Sequence, residues 1–364
     1  MRLTVKIGSN VLSRSDGSLD VTRMSALVDD VAELRRLGHE VMLVSSGAVA
    51  SGRSELQGLA NEKMDAVDRR QLFSAVGQAK LINRYYELFR DHGMAVGQVL
   101  TMKENFGSRR HYLNQRNCMM VMLEHGVIPI INENDTISVT ELMFTDNDEL
   151  SGLIATMMDC DALIILSNID GVFTGHPSDP SARLLERIGP DDDLSVYVRQ
   201  EKSEFGRGGM ITKCGIARKV AQEGIEVVIA NGKRDGVIQQ VVRALQGEQV
   251  DLPFTRFEPA RSEASSVKRW IAHSEGFAKG AIRLNAGAAE RILGSEAVSI
   301  LPVGVSAVDG DFDKHDIVSV LGPDGKQIGL GRIDFSSDEA RQLLGKRDQK
   351  PLVHYDYLYL EINN

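Results

Sequence analysis

A chain of 364 residues with 42% hydrophobic and 26% charged residues is long enough for two domains and has the composition of a globular protein. Its net charge of −9 argues against broad nucleic-acid binding, and no apolar run reaches the length of a membrane span. The three cysteines have no paired spacing and no signal-peptide pattern is present, so we expect reduced thiols and a cytoplasmic protein.

Strands and helices alternate over about the first 245 residues. Short β-branched runs predict strands at Leu3–Ile7, Glu40–Val44, Met94–Leu100, Val127–Ile131, Ala162–Leu166 and Glu226–Ala230. Apolar residues at helical spacing predict helices at Asp20–Leu37, Leu72–Leu88, Arg109–Glu124 and Ile211–Glu223. This order is typical of right-handed βαβ units. It predicts a three-layer αβα sandwich around a mostly parallel sheet.

Polar and glycine residues follow four of the predicted strands: Gly8, Ser46-Gly47, Asn132 and Ser167-Asn168. In parallel sheets, ligands bind beyond the carboxyl ends of the strands. We therefore expect these four loops to converge on one binding site.

The alternation ends at Glu248–Ser262, which we interpret as a linker. Short strands between Gly, Asp and Pro turns then predict a small β-rich, barrel-like module. Its predicted strands are Gly280–Leu284, Ser299–Pro302, Val303–Val308, Asp316–Leu321, Gln327–Ile333 and Tyr355–Glu361, with helices at Ala286–Leu293 and Ser337–Leu344. The predicted domain limits are 1–250 and 267–364, with 251–266 between them.

Two lysines stand in glycine-containing motifs about 200 residues apart. Lys6 lies within an otherwise apolar strand, just before a turn where the Gly8 and Ser9 N–H groups could form an anion nest. Lys213 begins a predicted helix, whose N-terminus adds partial positive charge. Cations and N–H groups suit a transferring phosphoryl group. The alternative for either lysine is a solvated surface charge.

Between the lysines lie two polar clusters, Asn132-Glu-Asn134-Asp135 and Thr145-Asp146-Asn147-Asp148. Asp135, Asp146 and Asp148 could bind magnesium, organise the lysines or clamp an ammonium group. The structural alternative is a turn at Asn134-Asp135 and a helix N-cap at Thr145-Asp146-Asn147.

The glycine segment Gly206–Met210 lacks the spacing of a dinucleotide fingerprint, so we reject a Rossmann cofactor site. A segment that closes over a nucleotide and a plain loop both remain open. The sequence also shows no obvious general base. A carboxylate acceptor is already ionised at pH 7 and needs none, which favours a kinase that phosphorylates a small carboxylate.

These motifs together resemble the glutamate 5-kinase family of two-domain amino acid kinases, over essentially the whole chain. The matching segments are Lys6-Ile-Gly-Ser-Asn, Ser45-Ser-Gly-Ala-Val-Ala-Ser-Gly-Arg, Ile131-Asn-Glu-Asn-Asp, Asp146-Asn-Asp-Glu-Leu-Ser, Asp170-Gly-Val-Phe and Gly208-Gly-Met-Ile-Thr-Lys. The C-terminal part is similar to a PUA domain, chiefly through Asn285-Ala-Gly-Ala-Ala and Ser299-Ile-Leu-Pro-Val-Gly-Val.

The resemblance implies a role for each matching position. Lys6 and Lys213 would neutralise the phosphoryl group and Asp148 would hold both lysines. The implied substrate-binding residues are Ser46, Gly47, Asn132, Asp135 and Asn147, with Asp135 suited to the α-ammonium group. The implied ATP-site residues are Lys6, Gly8, Ser167, Asn168, Arg207, Gly208, Gly209, Met210, Ile211, Thr212 and Lys213. The chain departs from the family's usual residues at Ser167-Asn168 (Thr-Asp), Arg207 (Thr) and His315 (Gly).

The resemblance further implies that the protein uses ATP, with Mg²⁺, to phosphorylate L-glutamate to L-glutamyl 5-phosphate. This reaction is the first step of proline biosynthesis. Feedback inhibition by proline, a homodimer or homotetramer, and a glutamyl phosphate reductase (glutamate-5-semialdehyde dehydrogenase) as functional partner are expected with it.

One alternative is another carboxylate kinase of the same family, such as aspartate kinase or acetylglutamate kinase. Another is RNA binding through the PUA-like module. Its net charge of −2, from 13 Lys/Arg and 15 Asp/Glu over 261–364, makes nucleic acid the minor interpretation.

Overall fold

The computed structural model describes residues 1–56, 64–107, 109–138, 146–176, 179–190, 192, 209–260, 271, 278–294, 298–347 and 349–360. By their contacts the residues fall into two compact units. Met1–Lys103 and Arg116–Ser262 form the N-terminal unit, and Glu104–Gln115 and Glu263–Asn364 form the C-terminal unit. Within the described ranges, no helix is long and apolar enough to cross a membrane.

Strands and helices alternate along the first part of the chain, as the periodicity predicts. In the described ranges up to Phe257, the strands are β1 (Arg2–Ile7), β2 (Glu40–Ser45), β3 (Val96–Thr101), β4 (Ile128–Glu133), β5 (Ala162–Ser167), β6 (Arg187–Ile188), β7 (Glu226–Asn231) and β8 (Phe254–Phe257). The helices are α1 (Ser9–Leu12), α2 (Val21–Arg36), α3 (Ala48–Glu55), α4 (Ala66–Asp91), α5 (Lys103–Gly107), α6 (Arg109–Glu124), α7 (Asn147–Met157), α8 (Met210–Gln222) and α9 (Val237–Leu245).

The strands form one sheet in the order β3-β4-β2-β1-β5-β7-β8-β6. Neighbouring strands run parallel except β7 and β8, which are antiparallel. Ile7 at the end of β1 pairs with Ser45 of β2 and Leu166 of β5. The loops after β1, β2 and β5 therefore meet at the same edge of the sheet, as the strand-end argument predicts.

Helices pack on both faces of this sheet. Alternate strand residues, such as Leu3, Val5 and Ile7 of β1, join residues of α2, α4 and α9 in one buried core. The positions between them face the opposite way, because successive strand side chains alternate. On that second face, α7 contacts β1, β2, β4 and β5, and α8 contacts β7 and β8. The predicted αβα sandwich is confirmed.

The C-terminal unit contains a five-stranded sheet in the order β10-β9-β11-β12-β13 among its described residues. These strands are β9 (Gly280–Leu284), β10 (Val305–Gly310), β11 (Ile317–Leu321), β12 (Gln327–Ile333) and β13 (Val353–Leu360). Two helices, α10 (Ala286–Ile292) and α11 (Ser337–Leu343), contribute Ala289, Ile292 and Ala340 to its separate core. Pairing is antiparallel except between β9 and β11.

Several predicted boundaries are wrong. The expected linker includes β8, whose Phe-Thr-Arg-Phe alternation buries Thr255 and Phe257 and pairs with β7. The expected strand Ser299–Pro302 is a single bridge at Ile300 followed by a 3₁₀ turn, Pro302–Gly304, because proline ends the pairing. Helix α3 was not predicted, since its Ala-Val-Ala-Ser-Gly sequence has a weak apolar pattern.

Candidate active site

The two motif lysines meet at one buried carboxylate. Lys6 Nζ lies 2.5 Å from Asp148 Oδ1, and Lys213 Nζ lies 3.0 Å from Asp148 Oδ2. Only 6% of the Lys6 side chain and 1% of the Asp148 side chain is exposed. The alternative of a solvated surface charge is therefore excluded for Lys6, and the structure brings the three residues together as the family resemblance implies.

Strand and helix geometry place these three side chains. Because Val5 and Ile7 point into the α2/α4/α9 core, Lys6 between them points to the α7 side of the sheet. Asp148 is in the first turn of α7, and Lys213 is in the first turn of α8. The three groups therefore belong to rigid elements whose ends converge at one edge of the sheet.

A side chain at Gly8, where β1 leaves the sheet, would be crowded. A Cβ at this position would lie 3.1 Å from the Leu166 carbonyl oxygen and 3.5 Å from Lys6 Nζ. The Gly8 N–H donates to the Leu166 carbonyl, at 3.2 Å. The expected nest of Gly8 and Ser9 N–H groups is therefore wrong for Gly8, whose donor is already used within the sheet.

The charge of Asp148 is maintained by its lysine partners. Burial alone would raise the pKa of the Asp148 carboxyl, but the charges and hydrogen bonds of Lys6 and Lys213 outweigh burial and lower that pKa below its usual value. Asp148 is therefore an anion throughout the physiological range, and it holds two cations in place.

Asp146 lies beside this group and caps α7. Its Oδ1 accepts hydrogen bonds from the N–H groups of Asp148 and Glu149, which confirms the predicted N-cap. Burial, followed by the negative charge of Asp148, raises the pKa of Asp146 to about 6. Its Oδ2 is buried and has no hydrogen-bond partner among the described residues. The pKa of Asp146 therefore lies closer to neutral pH than that of Asp148.

A cavity of about 220 Å³ opens beside the lysines. It is lined by Lys6, Gly8, Ser9, Asn10, Val11, Ser46, Asp146, Asn147, Asp148, Leu166, Ser167, Asn168, Ile169, Gly209, Met210 and Lys213. The lining contains most of the implied ATP-site residues and two of the implied substrate-binding residues. Gly47, Asn132, Asp135, Ile211 and Thr212 do not line it, and Arg207 and Gly208 lie outside the described residues.

Asn147 links the cavity to the end of β4. Its Nδ2 donates to Ser46 Oγ at 2.9 Å and to Asn132 Oδ1 at 3.0 Å. Asn132 and Ser167 are the last or nearly the last residues of their strands and are buried, whereas we expected both to follow the strands. Three implied substrate-binding residues thus form one hydrogen-bonded group. Gly47 lies next to it, with φ of 105° as the N-cap of α3.

Asp135, in the turn after β4, contacts an arginine that we did not predict. Arg70 Nη2 lies 2.5 Å from Asp135 Oδ1, and its Nε lies 3.0 Å from the same oxygen. Arg70 Nη2 is also 3.4 Å from Glu133 Oε2. Arg70 was missed because the predicted helix begins at Leu72, whereas α4 begins at Ala66, and because no pattern indicates which of the adjacent Arg69 and Arg70 faces the protein.

Two family models match this chain: the amino acid kinase family over residues 1–231 and the PUA domain over residues 280–355. A glutamate 5-kinase from Bacteroides thetaiotaomicron is 62% identical over 360 residues, which cover 99% of this chain and 98% of the relative. One from Chlorobaculum tepidum is 44% identical over 362 residues, covering 99% and 97%.

The chain belongs to the glutamate 5-kinase family. Membership confirms the predictions of an amino acid kinase and of a C-terminal PUA domain. A solved structure, carbamate kinase from Giardia lamblia bound to AMP-PNP, is similar with a TM-score of 0.52 and 17% identity. The structural match covers 71% of this chain and 98% of the carbamate kinase, and it supports the fold alone.

Proposed function

We propose that this protein transfers the γ-phosphoryl group of ATP to the γ-carboxylate of L-glutamate, giving L-glutamyl 5-phosphate and ADP. The observation that carries the proposal is the pair of lysines held on Asp148 at the edge of a polar cavity. Sequence identities of 62% and 44% to two glutamate 5-kinases, over 99% of this chain, support the choice of acceptor.

Lys6 and Lys213 are proposed as the catalytic cations. Transfer through a loose transition state requires positioning and neutralisation of charge on the phosphoryl oxygens. The acceptor and the nucleotide are both anions, so two fixed ammonium groups between them reduce their repulsion. Asp148 keeps both lysines in place without reaching the reacting atoms itself. The α8 N-terminus beside Lys213 adds partial positive charge at the same point.

Ser46 and Asn147 line the cavity and are proposed to orient the acceptor, with Asn132 and Gly47 supporting them. Asp135 is proposed to receive the α-ammonium group. No general base is needed, since the γ-carboxyl of glutamate, with a pKa of about 4.3, is ionised at neutral pH. Catalysis then requires the alignment of two anions, and the half-buried hydrogen-bonded group around Asn147 suits that requirement.

The nucleotide is proposed to lie along Gly8, Ser167 and Asn168 and the segment 207–213. The residues fit a magnesium ion that arrives with it. Among the described residues no cluster of three or more His, Cys, Asp or Glu could hold a metal, but Asp146 has a buried carboxylate oxygen without a hydrogen-bond partner. Magnesium is commonly held by one or two carboxylates together with substrate phosphates. When bound, the ion would neutralise charge on the β- and γ-phosphates.

Further properties follow as proposals from the family. They are a homodimer or homotetramer, a cytoplasmic location, inhibition by proline at the glutamate site, and transfer of the labile acyl phosphate to a glutamyl phosphate reductase. For the domains we keep the limits 1–250 and 267–364 as a proposal, with β8 of the expected linker added to the first domain. Saturating proline that left the glutamate saturation curve unchanged would exclude the inhibition.

Trapping the acyl phosphate with hydroxylamine tests the reaction. The purified protein is incubated with ATP and Mg²⁺ and, in parallel, L-glutamate, L-aspartate or N-acetyl-L-glutamate, and the hydroxamate is quantified. Product formed chiefly from L-glutamate supports the proposal. Product chiefly from another acid would keep the kinase but reassign the acceptor, and no product from any acid would refute carboxylate phosphorylation.

A further inference from the structure

Arg70 is the described cation in contact with Asp135, and only part of its guanidinium group is used there. Its Nε and Nη2 both bind Asp135 Oδ1, and Nη2 also approaches Glu133 Oε2. Asp135 Oδ2 has one long contact, 3.5 Å from Ser74 Oγ. Arg70 Nη1 has no hydrogen bond among the described residues, and 26% of the side chain is exposed. The pair therefore leaves unused hydrogen-bonding capacity on one guanidinium nitrogen and on one carboxylate oxygen, whose side chain is 7% exposed.

Helix α4 holds this pair against the turn after β4. Gln71 Nε2 donates to the Thr136 carbonyl at 2.8 Å, and Gln78 Nε2 donates to the Glu133 carbonyl at 3.2 Å. These contacts lie on both sides of Asp135 in sequence. The distance between Asp135 and the helix is consequently fixed by the backbone of the turn as well as by the ion pair.

The position of α4 is itself fixed relative to the cavity. It crosses α3 at glycines: a Cβ on Gly77 would lie 1.7 Å from the Ala48 carbonyl oxygen, and one on Gly52 would lie 1.8 Å from the Phe73 carbonyl oxygen. Helix α3 begins directly after Ser46-Gly47, where the cavity lining includes Ser46. Backbone contact between the two helices therefore fixes the position of Arg70 relative to Ser46 at the edge of the cavity.

An α-amino acid carries its ammonium and carboxylate groups on one carbon atom. A protein can bind both by placing an anion and a cation within a few ångströms of each other, with a free atom on each. Arginine suits the carboxylate because its planar donors match that group. Asp135 and Arg70 meet these requirements. We propose that Arg70 binds the α-carboxylate of the acceptor through Nη1 while it orients Asp135 for the α-ammonium group.

This inference rests on the proposed function, and it specifies the substrate class as acceptors with a free α-carboxylate. The L-glutamate α-amide tests it, because this compound keeps the γ-carboxylate and the ammonium group but has no α-carboxylate charge. Arg70→Met should remove the preference for glutamate over the amide. A charged hydrogen bond of this kind accounts for about tenfold to 100-fold in kcat/KM.

The experiment measures kcat/KM for both acceptors, by hydroxamate formation, in wild type, Arg70→Met and Arg70→Lys. The matched control is Arg69→Met, since Arg69 is the exposed neighbour on α4 and its side chain bonds, among the residues that the structure describes, only the Met64 carbonyl. We expect the glutamate-to-amide ratio to fall at least about tenfold in Arg70→Met, to fall less in Arg70→Lys, and to stay unchanged in Arg69→Met. The KM for ATP should stay near its wild-type value in all of them.

If kcat/KM in Arg70→Met falls equally for the two acceptors, or does not fall for either, the ratio is unchanged. That result would show that Arg70 does not bind the α-carboxylate and would overturn the inference. Arg70→Lys keeps the positive charge between Asp135 and Glu133, so it tests the ratio even if Arg70→Met does not fold. The proposed function fails separately, through the wild-type protein: no hydroxamate from L-glutamate refutes it, whereas an active wild type with an unchanged ratio in the variants refutes only the role of Arg70.

Discussion

The two ends of the site have opposite arrangements of charge. At the phosphoryl end, Lys6 and Lys213 share the carboxylate of Asp148. At the turn after β4, Asp135 and Glu133 share the guanidinium group of Arg70. A pair of cations on one anion suits polyanionic phosphate, and a pair of anions on one cation suits an ammonium group. The contrast agrees with the proposed roles, in which the lysines act on the phosphoryl group and Asp135 receives the α-ammonium group of the acceptor.

The two ends also differ in what holds them. The lysines stand on β1 and α8 and meet α7, so the central sheet and the helices of its second face position them. Arg70 stands on α4, which is placed by its crossing with α3 and by hydrogen bonds to the turn. Changes at one end should therefore alter kcat, and changes at the other should alter the use of glutamate.

The largest effect is expected from removing a lysine. Lys6→Ala and Lys213→Ala should each lower kcat by about 10²–10³-fold, because each cation stabilises charge that develops in the transition state. The KM for glutamate should change far less. Steady-state kinetics of both variants, with Lys80→Ala as a control on an exposed lysine paired with Glu55, provide the measurement. Equal losses in turnover and glutamate binding would contradict the assignment of the lysines to the phosphoryl end.

The next effect concerns the placement of α4. Gly77→Ala inserts a Cβ 1.7 Å from the Ala48 carbonyl oxygen and should lower stability by about 3 kcal/mol, because two helix backbones must move apart. Gly215→Ala is the matched control: a Cβ on this helical glycine would meet no atom within 4 Å beyond the backbone of its own helix, so alanine there should be neutral or stabilising. Thermal unfolding of both variants checks the pair. A Gly77→Ala protein as stable as wild type would mean that the crossing does not fix α4.

The phosphoryl end was largely predictable from sequence, because each part of it is local. Lys6 stands out as a charge in an apolar strand, Lys213 begins a helix, and Asp146 sits at an N-cap position. The parallel sheet then implies that strand-end loops converge. The turn after β4 was only partly predictable. Asp135 was identified, but its partner Arg70 lies 65 residues away on a helix whose inward face depends on the α3–α4 crossing.

Other errors in the prediction have similar tertiary causes. β8 was assigned to a linker because four residues carry little periodicity, and only its pairing with β7 makes it a strand.

His315, where the family usually has glycine, has a positive φ of 77°. The sequence shows the substitution. It does not show that the backbone keeps the conformation that favours glycine.

A third effect concerns Asp146, which lies at the phosphoryl end and should make the activity of that end depend on pH. Its raised pKa of about 6 means that the carboxyl gains a proton as pH falls below 6. If the site works with Asp146 ionised, kcat/KM for glutamate should be about tenfold below its plateau at pH 5. Asp146→Asn keeps an N-cap side chain, and it should remove this limb of the pH profile and lower the plateau. A profile of unchanged shape in Asp146→Asn would exclude Asp146 as the titrating group.

The smallest effect is expected from Asp30, a buried carboxylate that does not line the cavity. Its Oδ2 accepts the Ile238 N–H at 3.0 Å, and its Oδ1 accepts from Gln239 Nε2 at 2.9 Å, so a residue of α2 caps α9. Burial raises the pKa of Asp30 to about 6. A raised acid pKa stabilises the fold below the unfolded value of 3.8, and this stability is lost as pH rises through about 6.

Asp30→Asn should therefore flatten the dependence of stability on pH between about 4 and 6 and change stability at pH 7 by less than about 1 kcal/mol. Asparagine can still accept the Ile238 N–H, whereas Asp30→Ala leaves that donor buried and should cost about 1–3 kcal/mol. Urea unfolding of the three proteins at pH 5 and pH 7 measures both differences. Because Asp30 shares its raised pKa with Asp146 but does not line the cavity, the activity profile of Asp30→Asn should keep the wild-type acid limb. Loss of that limb would mean that the titration of Asp30, and not that of Asp146, produces it.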